Sequence, residues 1–310
     1  MKIYYLTGVL ILVFILRFSL TLIPEPLRLQ IWTLLQTYMP LLGGAGMLIG
    51  VVYALQMKTW KRLDVCITLV VSGLCVFFPL AQFLTGETYP SDLNATPGAL
   101  YVRLPLNEKV VIAWGGDDIK TNYHAAYPAQ RWAYDLVISP HSLGSKNLLD
   151  YGCFGKDILA PVSGEIRTAH DGANDRIPDE DAADIQGAFG NYIVIKPNGT
   201  DDRLVIAHLK KGSILVKRGD SVAEGVPIAQ CGNSGNSTEP HVHIHYVKLH
   251  QHDNEILMTG LPLYFRNHNG PPMPIGGFKK IKGRIVAVGS VVRHTSELDS
   301  KIFSETALEE

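Results

Sequence analysis

The sequence predicts a mainly β domain built of antiparallel sheets and preceded by an α-helical membrane region. Two observations predict this fold class. Long uncharged apolar stretches lie in the first 86 residues, whereas short β-rich runs separated by turn residues recur from about residue 125 onward without a helical period. The chain has 310 residues, of which 46% are hydrophobic and 18% charged, so it is long and apolar enough to form packed cores.

The distribution of charge separates the two parts. Residues 1–86 contain six Lys or Arg against two Asp or Glu, whereas the rest of the chain contains 22 against 27. The formal net charge of −1 argues against a nucleic-acid-binding protein. All 11 histidines lie at or after position 124, so any imidazole chemistry belongs to the second part.

The first 86 residues predict three transmembrane helices. Their uncharged stretches cover residues 3–16 with 18–24, residues 29–57 and residues 65–84. Each approaches the roughly 20 residues that a bilayer requires, the first only if Arg17 extends to an interface. An alternative for the first stretch is the apolar region of a cleaved signal peptide, since Lys2 precedes it, although no small-x-small cleavage site follows.

The basic loop at residues 58–62 predicts the orientation of these helices. It is the densest basic cluster of this region, and the positive-inside rule places such clusters in the cytoplasm. The third helix then leads outward. We therefore expect everything after about Gly86 to lie outside the cytoplasmic (inner) membrane, in the periplasm or the extracellular space.

The exported part divides into a connector over 87–120, a β domain over 121–295 and a polar tail over 296–310. The predicted strands cover residues 133–138, 164–169, 192–195, 204–209, 214–216, 226–230, 242–247 and 284–292. Between two of them, residues 171–188 carry six acidic side chains, which predicts a solvated loop or a wall of a substrate groove.

The cysteines leave a disulfide open. Cys153 and Cys231 lie in the exported part, where an oxidising compartment would permit a bridge between them, but the sequence does not say how close they are. No CxxC motif is present, which argues against zinc binding by cysteines.

Three histidines alternate along one predicted strand, Pro240-His241-Val242-His243-Ile244-His245. Residues at i, i+2 and i+4 of a strand share a face, so the three imidazoles are expected to project one way and Val242 and Ile244 the other. The plain alternative is a polar sheet face open to water.

Clustered imidazoles also suit zinc. A catalytic zinc site uses three protein ligands and keeps one position for water. The HExxH motif, which carries two ligands and a glutamate base on one helix, is absent. In a hydrolase the general base would therefore be another residue, and the ordinary pKa of histidine suits that role at neutral pH.

Four segments of the exported part resemble the lysostaphin-like, or LytM-type, zinc metallopeptidases, and they occur in the order found in that family. The segments are Leu159-Ala-Pro-Val-Ser-Gly-Glu-Ile166, Ile206-Ala-His208-Leu209, Val216-Lys-Arg-Gly-Asp-Ser-Val-Ala-Glu-Gly-Val-Pro-Ile228 and Gly232-Asn-Ser-Gly-Asn-Ser-Thr-Glu-Pro-His241-Val-His243. The resemblance covers roughly residues 120 to 250 and implies a β fold of antiparallel sheets of the duplicated hybrid motif type.

The resemblance also implies a set of site residues. Zinc would be bound by His124, Asp135 and His243, and His208 and His241 would be the catalytic histidines that orient and deprotonate the water or stabilise the oxyanion. All five positions are filled, unlike those of degenerate relatives that act as activators or scaffolds.

Two features depart from the family pattern. The best-known members space the early His and Asp four residues apart, whereas His124 and Asp135 are 11 apart, which leaves His141 as a competing first ligand. His245 stands where the family usually has another residue. It is interpreted as a residue that supports a metal ligand, a surface residue or a source of extra metal affinity.

Taken together, the resemblance implies a membrane-anchored zinc metalloendopeptidase that hydrolyses peptide bonds of bacterial peptidoglycan, in the stem peptide or the cross-bridge. The predicted topology agrees, because it places the domain on the wall side of the membrane. The spans would also suit a membrane or wall-synthesis protein partner.

Two other functions are alternative interpretations of this sequence. The first is a non-catalytic or autoinhibited LytM-like regulator that binds wall peptides or activates another wall hydrolase. The second is a biotinyl or lipoyl carrier, since segments around Ala160 and Val216 resemble the hairpins of such modules. Carriers present a lysine at a tight exposed turn, whereas this chain has Gly, Asn and Ser after Cys231.

Overall fold

A computed structural model describes residues 3–57, 62–85, 88–179, 187–252 and 255–295 of the chain. The chain divides into two compact units, Met1–Asp92 and Leu93–Glu310, and each is described by itself. The polar tail over 296–310 and most of the basic loop at 58–62 lie outside the described residues.

The first unit is helical because its sequence is almost uniformly apolar. It comprises α1 (Ile3–Phe18), α2 (Leu27–Met57) and α3 (Leu63–Thr85), with a short 3-10 turn at Leu20–Leu22. Many large apolar side chains of these helices are exposed, among them Leu12, Leu48 and Val70. Exposed apolar faces of this extent are typical of surfaces covered by lipid or by another protein.

By length and composition, one helix of the described residues can cross a membrane, over Leu27–Gln56. Two further stretches, Ile3–Phe18 and Leu63–Phe77 within α3, are apolar but shorter than a bilayer requires. The structure therefore supports one candidate span, and the arrangement of three spans stays a prediction.

The second unit is mainly β and antiparallel, as predicted. Its strands are β1 (Leu100–Arg103), β2 (Val110–Trp114), β3 (Tyr134–Ile138), β4 (Asp157–Leu159), β5 (Gly164–His170), β6 (Asn191–Pro197), β7 (Arg203–Leu209), β8 (Ser221–Val222), β9 (Pro227–Gln230), β10 (Val242–His252), β11 (Glu255–Leu261), β12 (Leu263–Arg266), β13 (Phe278–Ile281), β14 (Arg284–Ala287) and β15 (Val291–Val292). Short 3-10 helices lie at Tyr123–Ala126, Pro128–Gln130 and Leu148–Asp150.

Among the described residues, nine strands form the main sheet, in the order β15-β2-β3-β10-β7-β6-β5-β8, with β11 also paired to β10. All the pairings within this sheet are antiparallel. Three two-stranded sheets accompany it: β4 with β9, β13 with β14, and a parallel pair of β1 with β12.

The core lies on one face of the main sheet. Buried residues alternate with half-buried ones along β6, which is the burial pattern of a strand with one face in a core. Val242 and Ile244 of β10 pack into this core together with Ile158 of β4 and Phe265 of β12. The predicted inward direction of Val242 and Ile244 is therefore correct, and it leaves the other face of β10 to the histidines.

Two predicted strands differ from the observed ones. Residues 214–216 form no strand. The Leu215 N–H donates a hydrogen bond to the Ile228 carbonyl, but the Leu215 side chain is mostly exposed. The run at 284–292 divides into β14 and β15, which belong to different sheets. Gly289 lies at the division, where a Cβ atom would come within 2.1 Å of the Ile112 carbonyl oxygen.

The predicted connector over 87–120 contains two strands, β1 and β2. Residues 110–113 of β2 are buried, and the strand pairs with both β3 and β15 in the main sheet. The residues between the helices and position 120 therefore contribute a strand beside the one that carries Asp135.

Candidate metal centre

The centre of the site is set by strand pairing. β10 lies between β3 and β7, and His243 is directly opposite Asp135 on β3 and Ala207 on β7. Directly opposite residues of antiparallel strands project from the same face of the sheet. The side chains of His243 and Asp135 accordingly meet, with His243 Nδ1 2.9 Å from Asp135 Oδ1.

His124 reaches the same carboxylate from a loop. It belongs to the 3-10 helix that buried Asn122 caps, and Asn122 Oδ1 accepts the backbone N–H of His124 and lies 3.0 Å from its Nδ1. Asn122 is itself fixed, since its side-chain amide donates to the Gly116 carbonyl. With Nδ1 held, His124 turns Nε2 towards Asp135 Oδ2, at 3.5 Å.

These three residues can hold a metal ion. The candidate ligand atoms of His124, Asp135 and His243 all lie within 4.8 Å of one another, and all three residues are buried. Two ligand atoms bound to tetrahedral zinc at about 2.0–2.1 Å lie roughly 3.3 Å apart. The distances from the Asp135 carboxylate to His243 Nδ1, 2.9 Å, and to His124 Nε2, 3.5 Å, are close to this value. The spacing therefore fits zinc.

The protonation states of this group fit zinc as well. Burial lowers the pKa of His124 to about 3, so the imidazole is neutral near neutral pH. Burial opposes ionisation of Asp135, but His124, His241 and His243 outweigh it and hold the pKa of the carboxyl well below its usual range. Zinc requires neutral imidazoles and an ionised carboxylate, so His124 and Asp135 have the protonation states in which they bind it.

His208 joins the site through an irregularity of β7. A regular alternation would point His208 away from the face of Ala207, which lies opposite His243. The pairing of β6 with β7 instead shifts register between Asn191 and Ile193, and His208 has a φ of 62°, in the left-handed region. Its ring lies 4.7 Å from that of His241 and 5.8 Å from that of His243.

His241 lies immediately before β10. Its Nδ1 is 2.8 Å from the Glu239 carbonyl oxygen and 3.1 Å from Ser237 Oγ. Its Nε2 is 3.7 Å from Asp135 Oδ1. Unlike the three candidate ligands, His241 is only partly buried, so it can contact both the metal centre and a substrate.

A carbonyl oxygen sets the tautomer of each of these two histidines. His208 Nδ1 lies 2.8 Å from the Ser234 carbonyl oxygen, as His241 Nδ1 lies close to that of Glu239. A carbonyl is only an acceptor, so the proton sits on Nδ1 and the Nε2 lone pair stays available. Burial lowers the pKa of His208 well below its ordinary value, which keeps it neutral.

Hydrogen bonds and a disulfide stabilise the loop that supplies these carbonyls. Asp175 accepts the N–H of Asn233, Ser234 Oγ donates to the Leu209 carbonyl, and a disulfide joins Cys153 to Cys231 with Cα atoms 5.8 Å apart. The bridge that the sequence left open is therefore formed. Asp175 belongs to the acidic segment predicted as a loop or groove wall, and here it supports the site; residues 180–186 of that segment lie outside the described residues.

Two histidines whose roles were open have distinct positions. Among the residues that the structure describes, His141 is not part of a group of three potential ligands, and it contacts Ser142 Oγ in a turn. His245 is buried, which excludes the surface role, and its Nδ1 lies 2.9 Å from His243 Nε2.

Sequence reasoning missed three residues that shape the site. Asn122 and Ser234 orient His124 and His208, and the Phe189 ring lies 6.1 Å from that of His243. An Asn two residues before a candidate ligand is a signal for the cap at Asn122. No comparable local signal marks Phe189 or the Ser234 carbonyl, because both arrive through the tertiary fold.

Comparison with known proteins places these residues in a family context. Residues 147–255 match the model of peptidase family M23, a range that includes His208, His241 and His243 but neither His124 nor Asp135. Peptidoglycan DD-endopeptidase ShyA of Vibrio cholerae is 31% identical over 158 residues, which are 50% of this chain and 32% of that protein. An uncharacterized metalloprotease of Haemophilus influenzae is 33% identical over 92 residues, 30% of this chain and 16% of that protein.

The chain thus matches a third or less of the length of these two relatives. Among solved structures, the catalytic domain of the antimicrobial peptidase lysostaphin from Staphylococcus simulans is similar, with 21% identity and a TM-score of 0.29. That match covers 49% of this chain and 88% of the other.

Proposed function

We propose that this chain is a membrane-anchored zinc endopeptidase, because residues 147–255 match the model of peptidase family M23 and His124, Asp135 and His243 can hold a metal ion. Its substrate is the peptide part of bacterial peptidoglycan, either stem peptide or cross-bridge. The reaction takes place outside the cytoplasmic membrane.

One observation carries this proposal: the two histidines beside the metal centre are both oriented for proton transfer. His208 belongs to β7 and His241 lies immediately before β10, and each has its Nδ1 held by a backbone carbonyl. Histidines that served only to fill a core would have no need of matched tautomers next to a buried His, Asp, His group. The arrangement suits hydrolysis better than a purely structural metal site, which is closed by a fourth protein ligand.

The residues divide the chemistry between them. His124, Asp135 and His243 would hold zinc, which, when bound, acidifies a water molecule and polarises the carbonyl of the scissile amide. His208 and His241 each have Nδ1 on a backbone carbonyl, which leaves Nε2 as the atom that can accept the proton that the attacking water loses. The imidazolium formed in this way can donate to the developing oxyanion and return the proton to the leaving amine.

The assignment of peptidoglycan as substrate is supported from two sides. The relative from Vibrio cholerae is described as a peptidoglycan DD-endopeptidase. The sequence of this chain independently favours an extracytoplasmic position, because a basic loop precedes the last apolar helix.

We extend the proposal to three membrane spans, with the basic loop at 58–62 in the cytoplasm. Leu27–Gln56 meets the length requirement, and the apolar stretches on either side supply the others. The additional helices offer a surface for a membrane or wall-synthesis partner. A reporter enzyme that is active only after export, fused after residue 295, should be active; a reporter that works only in the cytoplasm at this position would contradict the topology.

Digestion of purified peptidoglycan tests the catalytic proposal. The full chain, solubilised in detergent and loaded with zinc, should release peptide fragments and new amino termini. The variant H208A should lose at least about 100-fold in rate, since general base catalysis contributes roughly that much. The variant H170A changes an exposed histidine of β5 and serves as the control, with unchanged activity expected.

Equal digestion by H208A and the unmodified chain would contradict the proposed mechanism. Zinc binding without any digestion would instead favour the non-catalytic regulator.

A further inference from the structure

His245 is a buried histidine that the proposed mechanism does not use. It lies two residues after His243 on β10 and therefore on the same face of the strand. Its Nδ1 is 2.9 Å from Nε2 of His243, and only 3% of the residue is exposed. It is not one of the three residues whose candidate ligand atoms cluster.

The orientation of His243 gives this contact its significance. His243 faces Asp135 with Nδ1, so Nδ1 is the atom that would bind zinc. A neutral imidazole that offers the lone pair of Nδ1 carries its proton on Nε2. In this state His243 Nε2–H is a donor, and the atom placed to accept its hydrogen bond is His245 Nδ1.

The other histidines of the site are supported differently. His124, His208 and His241 each have Nδ1 within 3.0 Å of an amide or carbonyl oxygen that is not a candidate ligand, whereas the oxygen beside His243 Nδ1 belongs to the candidate ligand Asp135. His243 is supported by another imidazole, through its Nε2. This difference agrees with the ring nitrogens involved, because His243 faces Asp135 with Nδ1, whereas His124 and His241 face it with Nε2.

The surroundings hold the two rings together. His245 lies opposite Val205 on β7, and the Phe189 ring is 5.5 Å from that of His245 and 6.1 Å from that of His243. Because this pocket is buried, solvent water is poorly placed to accept the bond from His243 if the His245 imidazole is lost. An unpaired buried N–H is destabilising, so loss of the acceptor should disfavour this orientation of His243.

We propose that His245 is a positioning residue: it accepts the hydrogen bond of His243 Nε2–H and so holds His243 Nδ1 towards the zinc and increases its basicity. This inference rests on the zinc centre of the proposed function and is independent of its substrate. Supporting groups of this kind typically change metal affinity 10–100-fold when they are removed.

Two variants of nearly equal size separate this role from packing. In H245N the side-chain oxygen stands close to the position of Nδ1 and can accept the same hydrogen bond, whereas H245L has a similar shape without an acceptor. The dissociation constant for zinc is measured on the full chain in detergent, by competition with a zinc-chelating dye. The thermal midpoint of each metal-free variant is measured in parallel as a control for folding.

We expect H245N to bind zinc within about threefold of the unmodified chain and H245L to bind about 10–100-fold more weakly, with similar metal-free midpoints. Substitution of cobalt provides a second readout, since its visible spectrum reports the geometry of the ligands: H245N should retain the spectrum of the unmodified chain and H245L should alter it. If H245L does not fold, H245A takes its place in both measurements.

Unchanged zinc affinity in the variant without an acceptor would overturn the proposal, as would equal weakening of H245N and H245L. Peptidoglycan digestion is not the readout. A chain that binds zinc but digests nothing would therefore contradict the proposed function while leaving the role of His245 to be decided by the zinc measurements.

Discussion

His208, which we propose as a catalytic residue, has a backbone conformation that suits glycine better than histidine. Its φ of 62° lies in the left-handed region, which costs an L residue roughly 1–2 kcal/mol. The conformation persists because the His208 N–H donates to the Phe189 carbonyl and the ring is anchored on the Ser234 carbonyl. Strain of this kind is typical of functional sites.

This conformation gives a prediction at the scale of one residue. Both H208G and H208A remove the imidazole and should be inactive, but H208G should be the more stable by about 1 kcal/mol, since glycine adopts positive φ without steric cost. The two variants are compared by thermal unfolding of the full chain, with A207G as the control at the neighbouring position. At Ala207 glycine should be destabilising, so a loss of stability in H208G relative to H208A would contradict the left-handed conformation.

At the scale of elements, the site depends on the loop between β9 and β10. This loop supplies the carbonyls of Ser234 and Glu239 that orient His208 and His241. It is fastened at its start by the disulfide between Cys153 and Cys231. The alternation of the strand predicted the face shared by His243 and His245, because that periodicity is local.

The position of His208 could not be predicted from alternation, since a register shift between β6 and β7 intervenes. β2 was missed as part of the domain for a similar reason. Its five residues resemble an isolated apolar run, and only pairing with β3 and β15 makes them a strand. Short elements of this kind are stabilised by partners that are distant in sequence.

The disulfide provides the prediction at this scale. It closes a loop with a sequence separation of 78, for which loss of unfolded-state entropy gives a stabilisation of about 4 kcal/mol. Replacing both Cys153 and Cys231 by serine should lower the free energy of unfolding of the β domain by about this amount, measured by denaturant titration. C66S, which changes a cysteine outside the disulfide, is the control; an unaltered midpoint in the double variant would show that the bridge contributes little.

At the scale of the whole molecule, the candidate centre joins parts of the chain that are far apart in sequence. His124 comes from the 3-10 helix before β3, Asp135 from β3, His208 from β7, His241 from the residue before β10, and His243 from the start of β10. The family model covers only the last three of these residues. The sequence predicted all five through a family resemblance, whereas their convergence depends on the order of strands β3, β10 and β7 in the sheet.

Zinc stoichiometry of the full chain, measured together with that of two variants, decides whether His124, Asp135 and His243 hold the metal. We expect one zinc ion per chain, loss of that zinc in H243A, and retention of nearly one zinc in H208A. Hydrolysis should be lost in both variants. A chain that binds no zinc, or an H243A variant that keeps its zinc, would contradict the assignment of His124, Asp135 and His243 as the metal centre.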